Sequence, residues 1–136
     1  MPSPICPYVP SPQHTICPPV IAQRASLAAF TEASYAELDA HVQRYAENRL
    51  VLLEGLPRLG ITELAPADGA FYVYADIGHV TTDSMAFCQD LLRRTGVGIA
   101  PGIDFDTEAG SRFVRMTFCG PRADVEEALT RLAAVL

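Results

Sequence analysis

The sequence predicts a small α/β sandwich (an α+β arrangement), in which a short sheet carries helices on one face. Three observations lead to this fold class: two apolar strands with alternating polarity, a capped helix between them, and an amphipathic helix that closes the chain. The predicted order is helix, long helix, strand, strand, helix, strand, strand, helix. At 136 residues the chain has room for one domain with a hydrophobic core.

The chain begins with a proline-rich segment. Its first nineteen residues contain seven prolines. Proline has no amide donor and fixes φ, so we predict an extended or disordered arm over residues 1–17. Pro18 and Pro19 suit the first turn of a helix, which is predicted to continue to about Phe30. The predicted organisation is therefore the arm, a helical segment over 18–60 and a small α/β domain over 61–136.

A long helix is predicted from Ser34 to Arg58. Apolar residues recur there at alternating spacings of three and four, the pattern of one helix face. This stripe consists of Tyr35, Leu38, Val42, Tyr45, Arg49, Leu52, Leu56 and Leu59, with Arg49 as its one interruption. At about 1.5 Å per residue the helix would be roughly 37 Å long, more than a globule of this size needs. It is either a coiled-coil or bundle helix, or a connector between two domains.

The segment from 61 to 96 contains two candidate strands and a helix. "ITELA" is a short strand candidate, and "AFYVYADI" is a stronger one. In the second strand Phe71 and its alternate neighbours share one face, and Tyr72 and its alternate neighbours share the other. The helix "SMAFCQDLLRRT" is predicted to be capped by Thr82 or Asp83 and ended by Gly96.

The last forty residues contain two further strands and the closing helix. "VGIAPG" is predicted as a short buried strand that ends in a turn, and "RFVRMTF" as a longer strand. "PRADVEEALTRLAAVL" is predicted as a helix with one apolar stripe. "GVGIAPG" lacks the spacing of a phosphate-binding loop and follows a helix, so a helix stop and a turn explain its glycines better.

The composition excludes several classes of partner. The net charge is −6 and no basic run is present, so neither nucleic acid nor an anionic membrane is an expected partner. No segment approaches the length of a membrane span. The four cysteines show no CxxC spacing, which predicts reduced thiols and a cytoplasmic protein. All ten basic residues are arginine, so no lysine side chain can form a Schiff base.

Metal sites are not expected. Asp104, Asp106 and Glu108 lie at alternate positions, as in the start of a calcium loop. The glycine and the terminal glutamate of such a loop do not follow at the required spacing, so we predict a solvated turn. The three histidines are scattered without the spacing of zinc ligands.

Arg115 lies in the middle of the apolar strand "RFVRMTF". Strand alternation places it on one face with Phe113 and Thr117, while Val114 and Met116 point the other way. Three interpretations are open. Arg115 could be a surface residue, it could form a buried ion pair with an acidic residue, or it could bind a ligand carboxylate through two parallel hydrogen bonds.

Four segments of the chain, in order, resemble the C-terminal part of class I/II aminotransferases, which are pyridoxal-phosphate enzymes of fold type I. They are "CPPVIAQRASLAAF", "PADGAFYVYADI", "FCQDLLRRTGVGIAPGIDF" and "RFVRMTF" with the closing helix. The resemblance covers about residues 16–136. It implies that residues from about 66 onward form most of the small domain, and that the 34–58 helix is the inter-domain connector. It also implies a cofactor-binding large domain outside this chain and a homodimeric parent enzyme.

The resemblance assigns roles to two residues. Arg115 matches the arginine that binds the α-carboxylate of the amino-acid or 2-oxo-acid substrate in this family, and Phe71 matches a position near the substrate pocket. Pro101 and Gly102 match the family's structural "PG" turn. The family usually continues "PGxxFG", whereas this chain reads "PGIDFD", with Asp106 in the glycine position. No catalytic, cofactor-binding or metal-binding residue is implied here.

The function implied is transfer of an amino group between an α-amino acid and a 2-oxo acid, with pyridoxal phosphate as the electron sink. Without a lysine, this chain alone is expected to be inactive and to expose surface that favours self-association. Three alternatives remain open. The parent could catalyse β-elimination, decarboxylation or acyl transfer on the same fold. It could be a non-catalytic regulator, or the chain could be a self-contained ligand-binding or oligomerisation module.

Overall fold

The structure is a computed structural model that describes residues 18–136. The arm predicted over residues 1–17 lies outside this range. The described part contains four α-helices and three β-strands. They are α1 (Val20–Ser26), α2 (Glu32–Arg58), β1 (Tyr72–Asp76), α3 (Ser84–Thr95), β2 (Ala100–Pro101), β3 (Phe113–Thr117) and α4 (Arg122–Ala133). The chain divides into two compact units, and the division falls within α2, between Leu38 and Asp39.

The described part of the first unit is helical. Pro19 precedes α1 with an extended ψ, and the side-chain amide of Gln23 donates to the Pro18 carbonyl at 2.7 Å. A short 3₁₀ turn, Leu27–Phe30, follows α1 directly. The helical stretch predicted to end near Phe30 is therefore confirmed, with a tighter last turn.

The long helix is also confirmed, and it begins two residues earlier than predicted, at Glu32. Its end is fixed by Gly60, whose φ of +87° is a left-handed conformation that suits glycine. Arg49, which interrupts the apolar stripe, has a structural role. Its Nε donates to the Ala67 carbonyl at 2.6 Å, and its guanidinium pairs with Asp68 at 3.2 Å. Arg49 thus ties the helix to the segment before β1.

The three strands form one antiparallel sheet in the order β1–β3–β2. Tyr74 of β1 and Ala100 of β2 both pair with Arg115, which therefore lies in the central strand. The segment "ITELA", expected as a strand, contributes a single bridge between Leu64 and Ala75. Pro66 follows this segment and has no amide donor, so the ladder is not extended there.

The core lies on one face of the sheet. Val73, Ala75, Val114 and Met116 are at most 5% exposed and form its sheet side. The second unit's part of α2 contributes Leu52 and Leu56, α3 contributes Cys88, and α4 contributes Val125. These helices therefore cover the same face, which confirms the predicted α/β sandwich. The opposite face carries no helix of this cluster.

The loop between β2 and β3 is held tightly at its base. Gly102 and Gly110 approach so closely that a Cβ atom on Gly102 would lie 2.6 Å from the Gly110 carbonyl oxygen. The buried hydroxyl of Ser84, at the start of α3, donates to that same carbonyl at 2.9 Å. Asp83 caps α3 through its carboxylate, which accepts from the Ala86 amide at 3.0 Å. The loop is thereby anchored to α3.

Over residues 18–136, no helix combines the length and the apolar character needed to cross a membrane.

Candidate carboxylate-binding site

A cavity of about 280 Å³ opens on the face of the sheet opposite the core. Its walls come from three elements: β1, β3 and the loop between β2 and β3. The lining residues are Tyr72, Tyr74, Phe105, Asp106 and Arg115. Since side chains alternate along a strand, Tyr72 and Tyr74 share this face with Arg115, their neighbour across the β1–β3 ladder.

The guanidinium of Arg115 is held by aromatic rings. Its Cζ lies 4.0 Å from the centroid of the Phe105 ring and 4.9 Å from that of the Tyr72 ring. Such cation–π contacts are worth about 0.5–1 kcal/mol each where they are exposed. Within residues 18–136, Arg115 forms no ion pair and its guanidinium donates no hydrogen bond. Since no described acidic residue pairs with it, the donor fork of this half-buried arginine is available to a ligand.

Arg112, three residues earlier, shows what a structural arginine looks like here. Its Nη2 pairs with Asp76 Oδ2 at 2.8 Å, and its Nε donates to Asp76 Oδ1 at 3.0 Å. The carboxylate also accepts from the Gly78 amide at 2.8 Å. The amide of Gly78 first, and Arg112 in addition, hold the pKa of Asp76 below its ordinary value. The fork of Arg112 is therefore occupied by the protein itself.

Tyr74 brings a second donor to the cavity. Its ring stacks on Phe113 with the centroids 4.9 Å apart and the planes inclined by 2°. Its Oη atom is buried and has no hydrogen-bond partner in the described part of the chain. Burial, and then the nearby charge of Asp106, raise the pKa of the Tyr74 phenol, which keeps the hydroxyl protonated. Leaving a buried hydroxyl without a hydrogen-bond partner costs free energy, which fits a group that donates to a ligand oxygen.

Asp106, which stands in the glycine position of the resembled family, closes its own turn. Its Oδ1 accepts from the amides of Glu108 at 2.9 Å and Ala109 at 3.0 Å. These two hydrogen bonds lower the pKa of Asp106, so the carboxylate is ionised near neutral pH. Its backbone needs no glycine: within residues 18–136 the only non-glycine residue with positive φ is Ala70. The solvated turn predicted for "DFDTE" thus has a defined hydrogen-bonding pattern.

Phe71, predicted near a substrate, lies at the edge of this region and does not line the cavity. It is 49% exposed, and its ring meets Tyr72 edge-on at 5.8 Å between centroids. Its carbonyl accepts from the Phe118 amide and the Thr117 hydroxyl. Its role in substrate binding stays a prediction.

The arrangement suits a planar anion. A guanidinium fork donates two parallel hydrogen bonds to a carboxylate, and rigid strands fix the direction of that fork. Sequence reasoning identified Arg115 but did not identify Tyr72, Tyr74, Phe105 or Asp106 as its neighbours. The strand alternation already placed both tyrosines on one face, which was the available signal. The loop residues gave none, because their approach depends on how the loop returns to β3.

The described residues offer neither a metal site nor a covalent anchor. No group of three or more His, Cys, Asp or Glu side chains within residues 18–136 could hold a metal ion. Because the whole chain lacks lysine, it has no side-chain amine to form a Schiff base with pyridoxal phosphate. The residues present therefore do not fit a covalently bound cofactor.

Comparison with known proteins identifies the family. The model of the aminotransferase class I and II family matches residues 6–132. The chain is 58% identical over 122 residues to the valine–pyruvate aminotransferase of Mycobacterium tuberculosis, an alignment that covers 90% of this chain and 31% of that protein. It is 38% identical over 128 residues to the aspartate/prephenate aminotransferase of Thermus thermophilus, covering 93% of this chain and 32% of that protein.

Solved structures agree with this result. An aminotransferase from Mycobacterium tuberculosis superposes with a TM-score of 0.86 at 57% identity, covering 90% of this chain and 32% of that one. A tetra mutant of Thermus thermophilus aspartate aminotransferase gives 0.78 at 37% identity, covering 91% and 33%. This chain therefore spans about a third of the length of the relatives it matches, and it belongs to the class I and II aminotransferase family.

Proposed function

We propose that this chain is the C-terminal portion of an aminotransferase that moves an amino group between an α-amino acid and a 2-oxo acid. The family assignment and the one-third coverage of the relatives support this. In this proposal residues 61–136 form the small domain, and the 18–60 helical segment, which includes α2, connects it to a large domain. The large domain supplies the lysine and the phosphate contacts for pyridoxal phosphate, and the parent enzyme is a homodimer.

Arg115 is the residue of this chain that binds the substrate carboxylate. The observation that carries this role is its guanidinium, which faces the cavity without an ion pair in the described part of the chain while two aromatic rings hold it. The Tyr74 hydroxyl, buried and without a partner there, provides a further donor. Together they fix the orientation of the α-carbon relative to the carboxylate, which is how a binding group assists a reaction at a neighbouring atom.

The substrate pair we propose is valine and pyruvate or close analogues. The relative with 58% identity carries the name valine–pyruvate aminotransferase. This relative and a second one at 38% identity, named for aspartate and prephenate, share the family but differ in the named substrates. The higher identity favours a small aliphatic amino acid for this chain.

The test is replacement of Arg115 in the cofactor-loaded full-length protein that contains this chain. Arg115→Ala should raise KM for the amino acid by about 10- to 150-fold, since hydrogen bonds to charged groups contribute about 1.5–3 kcal/mol. Arg115→Lys should restore only part of the loss, because lysine keeps the charge and lacks the fork. The matched control is Arg94→Ala, which removes an arginine that pairs with Asp90 on the exposed side of α3. An unchanged KM in Arg115→Ala would contradict the proposal.

A further inference from the structure

Asp106 places a negative charge in the wall of the cavity that contains Arg115. Asp106 lines that cavity together with Tyr72, Tyr74 and Phe105. Burial raises the pKa of the nearby Tyr74 phenol, and the charge of Asp106 adds to this increase. An acidic side chain beside a carboxylate-binding arginine is at first sight unfavourable for the ligand.

The structure shows that Asp106 does not neutralise the arginine. Its Oδ1 is held by the amides of Glu108 and Ala109, at 2.9 and 3.0 Å, within its own turn. Within residues 18–136, no ion pair joins Asp106 to any arginine. Arg115 is oriented by Phe105 and Tyr72 instead. Asp106 therefore has no cationic partner among the described residues, and its charge stays in the wall of the cavity.

We propose that Asp106 is a specificity-determining residue that disfavours substrates with a second carboxylate, so that the site takes monocarboxylic amino acids and 2-oxo acids. This inference rests on the proposed role of Arg115. Every substrate brings one carboxylate, and its repulsion by Asp106 is common to all of them, offset by Arg115. A dicarboxylic substrate brings a second negative charge that Arg115 has no free fork to bind. The repulsion of this second charge by Asp106 is uncompensated within this cavity.

The rigidity of the loop is what makes this discrimination effective. Gly102 and Gly110 pack backbone to backbone, and the Ser84 hydroxyl bonds the Gly110 carbonyl. The base of the loop is anchored in this way, and the Asp106 carboxylate closes the turn. Asp106 therefore cannot move away from the cavity unless those hydrogen bonds break. Glu108 belongs to the same loop, but its side chain is exposed and does not line the cavity.

The experiment compares Asp106→Asn with Glu108→Gln in the cofactor-loaded full-length protein. Asparagine keeps the Oδ1 acceptor of the turn and removes the charge, while Glu108→Gln makes the same change of net charge away from the cavity. The probes are succinate and butyrate, a dicarboxylate and a monocarboxylate of equal length. Their dissociation constants are measured by calorimetry, without turnover. Circular dichroism checks the fold, and Asp106→Ser serves as a second uncharged variant with a short acceptor.

We expect Asp106→Asn and Asp106→Ser to lower the succinate-to-butyrate ratio of dissociation constants about threefold or more, as one unit charge at short range in a solvated site implies. Glu108→Gln should leave the ratio unchanged. The ratio in the unmodified protein should also fall as ionic strength rises, because salt screens the repulsion. An unchanged ratio in both Asp106 variants, or an equal fall in Glu108→Gln, would overturn the inference.

The same titrations separate this inference from the proposed function. If Arg115→Ala leaves the affinities for both probes unchanged, the proposed role of Arg115 fails. If Arg115→Ala weakens both probes while the Asp106 variants keep the original ratio, only the inference about Asp106 fails.

Discussion

The two faces of the three-stranded sheet differ in what holds their side chains. On the core face, Val114 and Met116 of β3 are at most 5% exposed and pack against three helices. On the open face, Arg115 of the same strand contacts the Tyr72 ring of the sheet and the Phe105 ring of one loop. Burial of apolar area fixes the first face, whereas cation–π contacts and single hydrogen bonds fix the second. The core face therefore contributes most of the stability, while the open face leaves the Arg115 fork without a described acidic partner.

The two arginines near β3 show the same difference on a smaller scale. Arg112 donates two hydrogen bonds to Asp76, whereas Arg115 pairs with no described acidic residue. The paired fork of Arg112 stabilises the end of β1. The fork of Arg115 is oriented by aromatic rings while its donors keep no described acidic partner, which is the property a binding group needs.

The largest expected effect is a difference in the free energy of unfolding between variants of two adjacent β3 residues that lie on opposite faces of the sheet. Met116→Ala removes a buried side chain and should lower the free energy of unfolding by about 2–5 kcal/mol. Arg115→Ala removes two cation–π contacts of a half-buried side chain and should lower it by about 1–2 kcal/mol. Urea unfolding followed by circular dichroism measures both. Equal losses for the two variants would show that the open face stabilises the fold as much as the core face does.

A smaller effect is expected at the ion pair between Arg112 and Asp76. The pKa of Asp76 lies below its ordinary value of 3.8 in the folded chain, so its stabilising contribution is fully present above pH 3.8 and is lost as pH falls through the lower folded-state value. Asp76→Asn should make the free energy of unfolding less dependent on pH over this acidic range. Urea titrations at several pH values test this. As a control, Asp68→Asn removes an exposed acid and keeps Asp76, so the pH dependence that Asp76 contributes should remain.

The smallest expected change in stability concerns Tyr74, with a larger change in binding. Tyr74→Phe removes a buried hydroxyl that has no partner among residues 18–136, so stability should be unchanged or rise by about 1 kcal/mol. In the longer parent enzyme that we propose, butyrate affinity should fall about tenfold, because the hydroxyl would donate to the carboxylate. Tyr72→Phe keeps the ring over Arg115 and is the matched control. A clear loss of stability in Tyr74→Phe would assign its hydroxyl a structural role instead.

Much of the fold could be predicted from periodicity. The long helix, the cap at Asp83, the stop at Gly96 and the strand alternation of "RFVRMTF" are all present as expected. These features depend on local geometry, and local geometry repeats in the sequence. "ITELA" was overestimated, because pairing along its length depends on the edge of β1 and on Pro66, not on its own apolar residues.

For the candidate site, the sequence by itself determined that an arginine lies on the non-core face of a strand, and that no lysine is available for covalent chemistry in this chain. Only the tertiary structure decided that Arg115 has no acidic partner among the described residues, that Phe105 and Tyr72 hold it, and that Asp106 and Tyr74 are its neighbours. The physical reason is the separation in sequence between the residues that determine each feature. Strand alternation is set by adjacent residues, whereas the pairing of a charge depends on segments that meet only when the loop folds back across the sheet.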